Sequence, residues 1–132
     1  MCSSDLQCVF TGLVSPSEVP ALISVMDVLV HLSRREGLAR ALPQALAAGK
    51  PVIAFDCDGA REVCRDGETG FLLPPGDVEG LGKRLEQLAF DKALCAQLGA
   101  RGRELVKELF PTQRMVDKLH ALYLRLQAEA KR

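Results

Sequence analysis

The chain has 132 residues, a length that suits one domain with a single hydrophobic core. It carries 17 Lys and Arg against 17 Asp and Glu, and this zero net charge argues against nucleic acid as a partner. The longest apolar runs are too short to cross a bilayer, and the first residues lack the pattern of a signal peptide, so the sequence predicts a cytoplasmic protein.

Three features predict the first elements. Residues 9–10 are a short apolar segment that indicates a strand. Ser15 is predicted to cap a helix that begins at Pro16, because Glu18 lies three residues after Ser15 and completes a capping-box pattern. Residues 28–32 are then almost continuously apolar, which is typical of a strand buried on both faces of a parallel sheet.

The middle of the chain alternates between helix and strand. A helix is predicted over residues 40–48, and Gly49 ends it. The strand PVIAF follows over residues 51–55, then one helical turn over residues 60–65 and a strand over residues 71–73.

The last part of the chain is predicted to be helical. Asp77 caps a first helix, and residues 92–109 form a second one with a break at Gly99 or Gly102. Thr112 caps a terminal helix, on which apolar residues recur at helical spacing. These residues are Met115, Val116, Leu119, Leu122, Tyr123 and Leu126.

This order of elements predicts an α/β fold with a Rossmann-like parallel sheet of about four strands flanked by helices. In open sheets of this type, ligands bind at the carboxyl ends of the strands. The loops over residues 33–38 and 56–59 both follow strands. We therefore expect them to lie on the ligand-binding face.

The five cysteines predict free thiols rather than disulfides or a metal site. Their number is odd, and no pair shows the close spacing of a zinc knuckle or a redox motif. Isolated cysteines usually act as small apolar core residues. We expect a reducing compartment and free thiols at Cys2, Cys8, Cys57, Cys64 and Cys95.

One long segment carries a family resemblance. The sequence SRREGLARALPQALAAGKPVIAFDCDGAREVCRDGETGFLLPPGD, which begins at Ser33, resembles the donor-binding core of GT-B-type retaining glycosyltransferases of the glycosyltransferase group 1 family. The likeness covers residues 9–88. It implies a hexosyltransferase that uses a nucleoside diphosphate sugar as donor, with no metal or other cofactor. The nucleotide (UDP, GDP or ADP), the sugar and the acceptor stay open.

The resemblance also implies roles for individual residues. Its motif is a Glu, seven residues and a second Glu, and here these positions hold Glu36 and Gln44. A loop carboxylate can accept hydrogen bonds from sugar hydroxyls, and free N–H groups at a helix start attract phosphate. The implied contacts are the donor sugar for Glu36, Gly37 and Leu38, phosphate for Ala39 and Arg40, and ribose for Gln44.

Two positions depart from the family pattern. Gln44 is an amide where the family has a carboxylate, which lowers the capacity to accept from both ribose hydroxyls and costs about 1–2 kcal/mol. Ala39 stands where many relatives have Pro, so the loop is expected to be less rigid.

Plainer interpretations of the same residues also stand. Glu36 is either a ligand group or a surface carboxylate paired with Arg34 or Arg35. His31 is interpreted as a satisfied core residue rather than a base.

Gly59 and Glu62 belong to the loop near the donor. Gly59 serves a tight turn or lets the backbone approach the donor sugar. Capping of a local turn is favoured over catalysis for Glu62.

The resemblance covers only the later part of one domain of a two-domain enzyme. Residues 1–132 are thus expected to be a partial nucleotide-sugar-binding domain, with a core over residues 9–88 and a helical segment over residues 77–130. The fragment, whether a cut chain or a gene fragment, is expected to lack the amino-terminal domain and to be inactive alone, while the parent enzyme acts in the cytoplasm or at the membrane periphery.

Two other functions stay open. They are a non-catalytic binding or scaffold module with a degenerate donor site, and a sugar-nucleotide epimerase.

The terminal helix also has two interpretations, because the corresponding helix crosses to the other domain in the family. Its apolar stripe therefore either packs in a core or stays exposed and drives self-association.

Overall fold

A computed structural model describes residues 8–130. Its centre is a three-stranded parallel sheet in the order β1 (Leu29–His31), β2 (Val52–Phe55) and β3 (Gly70–Leu73). Every residue of β2 is buried, as expected for a central strand. The α/β prediction with a parallel sheet is confirmed.

Residues 8–130 also form six helices. Residues of β2 alternate between two cores, so Val52 and Ala54 face one side while Ile53 and Phe55 face the other. The helices are α1 (Val19–Val25), α2 (Ala41–Ala47), α3 (Ala60–Val63), α4 (Val78–Phe90), α5 (Lys92–Leu109) and α6 (Thr112–Ala130).

The predicted number of strands is wrong, because the described residues form three. Residues 9–10 are not a strand: Val9 is 82% exposed and Phe10 is 92% exposed, and neither pairs with a neighbouring strand. A strand forms only where its backbone N–H and C=O groups hydrogen-bond to a neighbouring strand, and two consecutive apolar residues do not specify such a neighbour.

Burial of residues 28–32 on both faces is also wrong. Val30 of β1 and Leu32 just after it remain 38% and 37% exposed, so the side of the sheet that they face is only partly covered at this strand.

Local signals set several helix ends. The Glu18 carboxylate accepts hydrogen bonds from the Ser15 N–H and hydroxyl, and hydrogen bonding to Ser15 lowers the Glu18 pKa. These residues form a turn before α1, which begins at Val19 rather than at Pro16. Gly49 follows α2 in the left-handed conformation with φ 75°.

The predicted break in the second helix does not occur, since α5 is continuous. Its two glycines are needed for close packing instead. A Cβ on Gly99 would lie 2.7 Å from the carbonyl carbon of Gly49, and one on Gly102 would lie 3.2 Å from Cγ of Leu46. The α5 helix can therefore approach α2 closely.

The terminal helix α6 buries none of its residues. Its apolar stripe is exposed, so packing of that stripe in the core of this chain is excluded, and self-association stays a prediction. Over the part of the chain that the structure describes, every helix is too short or too polar to span a membrane.

Candidate functional site

Two loops meet at the carboxyl ends of β1 and β2. The Gly59 N–H donates to the Gly37 carbonyl over 2.9 Å, and the Glu36 N–H donates to Oδ2 of Asp58 over 3.0 Å. The Cys57 thiol also donates to the Ser33 carbonyl over 2.9 Å. These contacts join the segment that carries Glu36 to the loop after β2.

The Glu36 carboxylate is paired with a histidine. Nε2 of His31 donates to Oε2 of Glu36 over 2.8 Å, and 46% of the Glu36 side chain remains exposed. The predicted alternative, pairing with Arg34 or Arg35, is wrong for the described structure. An ionised carboxylate has about four acceptor positions, so Glu36 can still accept hydrogen bonds from a ligand.

Gly37 lies in open space. A Cβ added at this position would meet no atom within 4 Å, and its backbone is not in the left-handed region. The fold of this chain therefore gives no reason for glycine at position 37, unlike position 59. A Cβ on Gly59 would lie 2.9 Å from the Gly37 carbonyl carbon and 3.2 Å from Cα of Leu38. The close approach of Gly59 is to this chain's own backbone.

The start of α2 follows directly. Leu38 is half-buried, Ala39 is buried and Arg40 is exposed. These three residues precede α2, which begins at Ala41, and within residues 8–130 their backbone N–H groups donate no hydrogen bond to another residue. The residues predicted to contact phosphate, Ala39 and Arg40, therefore lie between Gly37 and the start of α2.

Gln44 is exposed on α2, one turn after this start. It borders a groove of about 300 Å³ between α1 and α2. The other residues along the groove are mostly apolar: Pro16, Val19, Pro20, Ile23, Ala47 and Ala48.

The space enclosed beneath the two loops is small. About 10 Å³ is available between Glu36, Cys57 and their neighbours, which is room for one water molecule at most. A sugar does not fit there. A ligand of Glu36 must therefore lie on the open outer side, where the Glu36 side chain and Gly37 are exposed.

Residues around α3 make further polar contacts. Arg61 forms an ion pair with Asp56, and this hydrogen bond raises the pKa of Arg61. Glu62 is exposed, and no side chain caps α3, so the predicted capping role of Glu62 is wrong.

The sequence missed three residues of this site: His31, Cys57 and Asp58. The sequence signal for Cys57 and Asp58 as site residues was their position in a loop expected on the ligand face. Nothing in the sequence pattern linked either residue to Glu36. The predicted burial of His31 is only partial.

The described residues contain no group of three or more His, Cys, Asp or Glu that could hold a metal ion. The expectation of a metal-free site stays a prediction. The cysteines among residues 8–130 are free thiols, while Cys2 lies outside the described residues.

Comparisons with known proteins support the predicted family and fold. The chain is 33% identical over 105 residues to N-acetyl-alpha-D-glucosaminyl L-malate synthase of Bacillus anthracis, a match that covers 80% of this chain and 28% of that protein. Sucrose-phosphate synthase of Thermosynechococcus elongatus has a similar structure, with a TM-score of 0.86 and 30% identity over 92% of this chain and 30% of that one.

A second solved structure is HepE of Anabaena in complex with UDP-glucose. Its TM-score is 0.72 at 26% identity, and the match covers 79% of this chain and 30% of that one. The chain thus spans less than a third of the length of each of these proteins. The model of the family described as Glycosyl transferases group 1 matches residues 5–105. The expected resemblance is confirmed, and the chain belongs to the glycosyl transferases group 1 family.

Proposed function

We propose that this chain is the donor-binding part of a glycosyltransferase that transfers a sugar from a nucleoside diphosphate sugar to an acceptor. The observation that carries the proposal is the placement of Glu36. Its partly exposed carboxylate lies at the carboxyl end of β1, next to a glycine with open space around it and to the start of α2. Family membership and the likeness to a protein solved with UDP-glucose support it.

In this proposal the donor lies on the open side of the two loops. Glu36 accepts hydrogen bonds from sugar hydroxyls, and an ionised acceptor makes these bonds stronger than neutral ones. Gly37 allows the sugar to approach the backbone, because no Cβ occupies the space beside it. His31 donates to one carboxylate oxygen and so limits the orientations of the Glu36 side chain.

The nucleotide part of the donor extends along α2. Backbone N–H groups of Leu38 to Arg40 and the guanidinium of Arg40 face a negative diphosphate, with electrostatic attraction as the driving force. Gln44 holds the ribose, beside the groove between α1 and α2. The chemical contribution of this chain is binding and orientation of the donor, without a metal.

Acceptor binding requires more than these residues. The relatives are more than three times as long as the part that matches. We propose that an amino-terminal domain provides the acceptor site and that residues 1–132 alone bind a donor without transferring sugar.

Titration of UDP-glucose and of GDP-mannose onto the full 132-residue chain tests the proposal by calorimetry. We expect saturable binding of at least one donor and a loss of about tenfold or more in Glu36→Ala, since a hydrogen bond to a charged group contributes about 1.5–3 kcal/mol. The matched control is Glu86→Ala, which removes an exposed carboxylate from α4. Equal, non-saturating responses from the wild type and Glu36→Ala would refute the proposal.

A second function is favoured by one residue. Gln44 offers a single acceptor oxygen where the family motif has a carboxylate, which fits a binding or scaffold module with a weakened donor site. Gln44→Glu separates the two functions. A gain of about tenfold in nucleotide affinity indicates a working donor site, and an unchanged affinity favours the scaffold.

A further inference from the structure

The loop after β2 contains an unusual backbone conformation. Asp58 has φ 44°, and among residues 8–130 it is the one residue other than glycine with a positive φ. L-residues pay a steric cost in this region, although Asp and Asn tolerate it better than most. Asp58 is exposed, so burial of its side chain does not offset that cost. Local stability alone would favour glycine at position 58.

The side chain of Asp58 accounts for this choice. Its Oδ2 accepts a hydrogen bond from the Glu36 N–H over 3.0 Å, between residues 22 positions apart. The next residue, Gly59, donates its N–H to the Gly37 carbonyl over 2.9 Å. Two consecutive residues of one loop thus bind two consecutive residues of the other.

We infer that Asp58 is a positioning residue that fixes the Glu36 segment in place for donor binding. This inference rests on the proposed function, because the role of the Glu36 carboxylate is part of it. The Glu36 backbone is restrained by Asp58 at its N–H, while its carboxylate is restrained by His31. The two contacts act on opposite ends of the same residue, so they limit both the position and the orientation of the carboxylate.

Two substitutions separate positioning from folding. Asp58→Gly relieves the backbone cost but removes the acceptor, so its urea unfolding midpoint should stay close to that of the wild type. Asp58→Asn keeps an amide oxygen that can accept from the Glu36 N–H. The readouts are the exchange rate of the Glu36 amide hydrogen, measured by NMR, and the affinity for UDP-glucose.

We expect Asp58→Gly to raise the exchange rate of the Glu36 amide by about tenfold and to weaken UDP-glucose binding severalfold, while Asp58→Asn stays near the wild type on both measures. The amide of Gly80 is an internal control, because it donates to Asp77 in a separate helix cap and should not change.

Unchanged Glu36 exchange in Asp58→Gly would overturn the inference. Faster exchange with undiminished UDP-glucose affinity would also overturn it, provided that Glu36→Ala weakens binding. An absence of saturable binding of both UDP-glucose and GDP-mannose by the wild type would refute the proposed function instead, and the exchange rates would then decide whether Asp58 fixes the Glu36 segment.

Discussion

Replacing Gly59 with alanine tests how tightly the two loops approach one another. An alanine Cβ would lie 2.9 Å from the Gly37 carbonyl carbon and 3.2 Å from Cα of Leu38. Both neighbours are backbone atoms, which cannot rotate away as a flexible side chain does. The loops must therefore separate, and the 2.9 Å hydrogen bond from the Gly59 N–H to the Gly37 carbonyl is lost or lengthened.

The cost follows from these two effects. Overpacking typically costs about 1–3 kcal/mol. The lost hydrogen bond adds about 1 kcal/mol. We expect the free energy of unfolding of Gly59→Ala to fall by about 2–4 kcal/mol, which lowers the urea midpoint by about 1–2 M at a slope of about 2 kcal/mol per M.

Urea titration followed by circular dichroism measures this midpoint, and Gly37→Ala is the matched control. A Cβ on Gly37 meets nothing within 4 Å, so its free energy of unfolding should stay within about 0.5 kcal/mol of the wild type. Binding of UDP-glucose should weaken in Gly37→Ala. Identical midpoints for Gly59→Ala and the wild type would refute the packing argument.

Three further results are expected. Gly99→Ala should destabilise the chain by about 1–3 kcal/mol in the same titration, because its Cβ would meet the Gly49 carbonyl. Alanine at the exposed Gly82 of α4 should instead stabilise the chain by up to about 1 kcal/mol, because its Cβ would meet no atom and alanine favours a helix more than glycine does. His31→Ala should weaken UDP-glucose binding about fivefold, and His31→Gln, whose amide can still donate to the carboxylate, should weaken it less. Burial raises the pKa of the Cys64 thiol to about 12, so mass spectrometry after alkylation at pH 8 should find Cys64 unmodified in the native protein.

Elements with a strong local signal were predicted well. The predicted strand PVIAF corresponds to β2, which begins one residue later at Val52, and Asp77 caps α4 by accepting a hydrogen bond from the Gly80 N–H over 2.8 Å. Both signals are local: a continuous apolar run favours a central strand, and an Asp before a helix satisfies a free N–H group. Residues 9–10 were predicted wrongly because a strand depends on a partner strand, which local sequence does not specify.

The two glycines of α5 show the same limit. Glycine weakens an isolated helix, so the sequence predicts a break at Gly99 or Gly102. Contact with α2 outweighs that preference, since a Cβ at either position would collide with Gly49 or Leu46. Helix propensity amounts to about 1 kcal/mol per glycine, and packing of this kind routinely exceeds it.

In the candidate site, too, the sequence predicts what depends on the order of elements and does not predict contacts between distant residues. The motif placed Glu36 correctly on a loop at the carboxyl end of a strand, because the order of strands and helices determines that position. Its partners were not predictable from the motif. His31 reaches Glu36 because the loop folds back over five residues, and Asp58 reaches it because β1 and β2 are neighbours in the sheet.

These partners lie outside the glutamate motif itself, and this has a consequence for donor affinity. In the proposed function the Glu36 carboxylate accepts hydrogen bonds from the donor sugar. His31 and Asp58 restrain its orientation and position through two hydrogen bonds of 2.8 and 3.0 Å. A chain that keeps the motif and loses either partner still presents a carboxylate, although one that must be ordered when the donor binds. Ordering such a side chain costs about 0.5–1.5 kcal/mol. In the proposed function, the donor affinity of this site therefore depends on His31 and Asp58 in addition to Glu36.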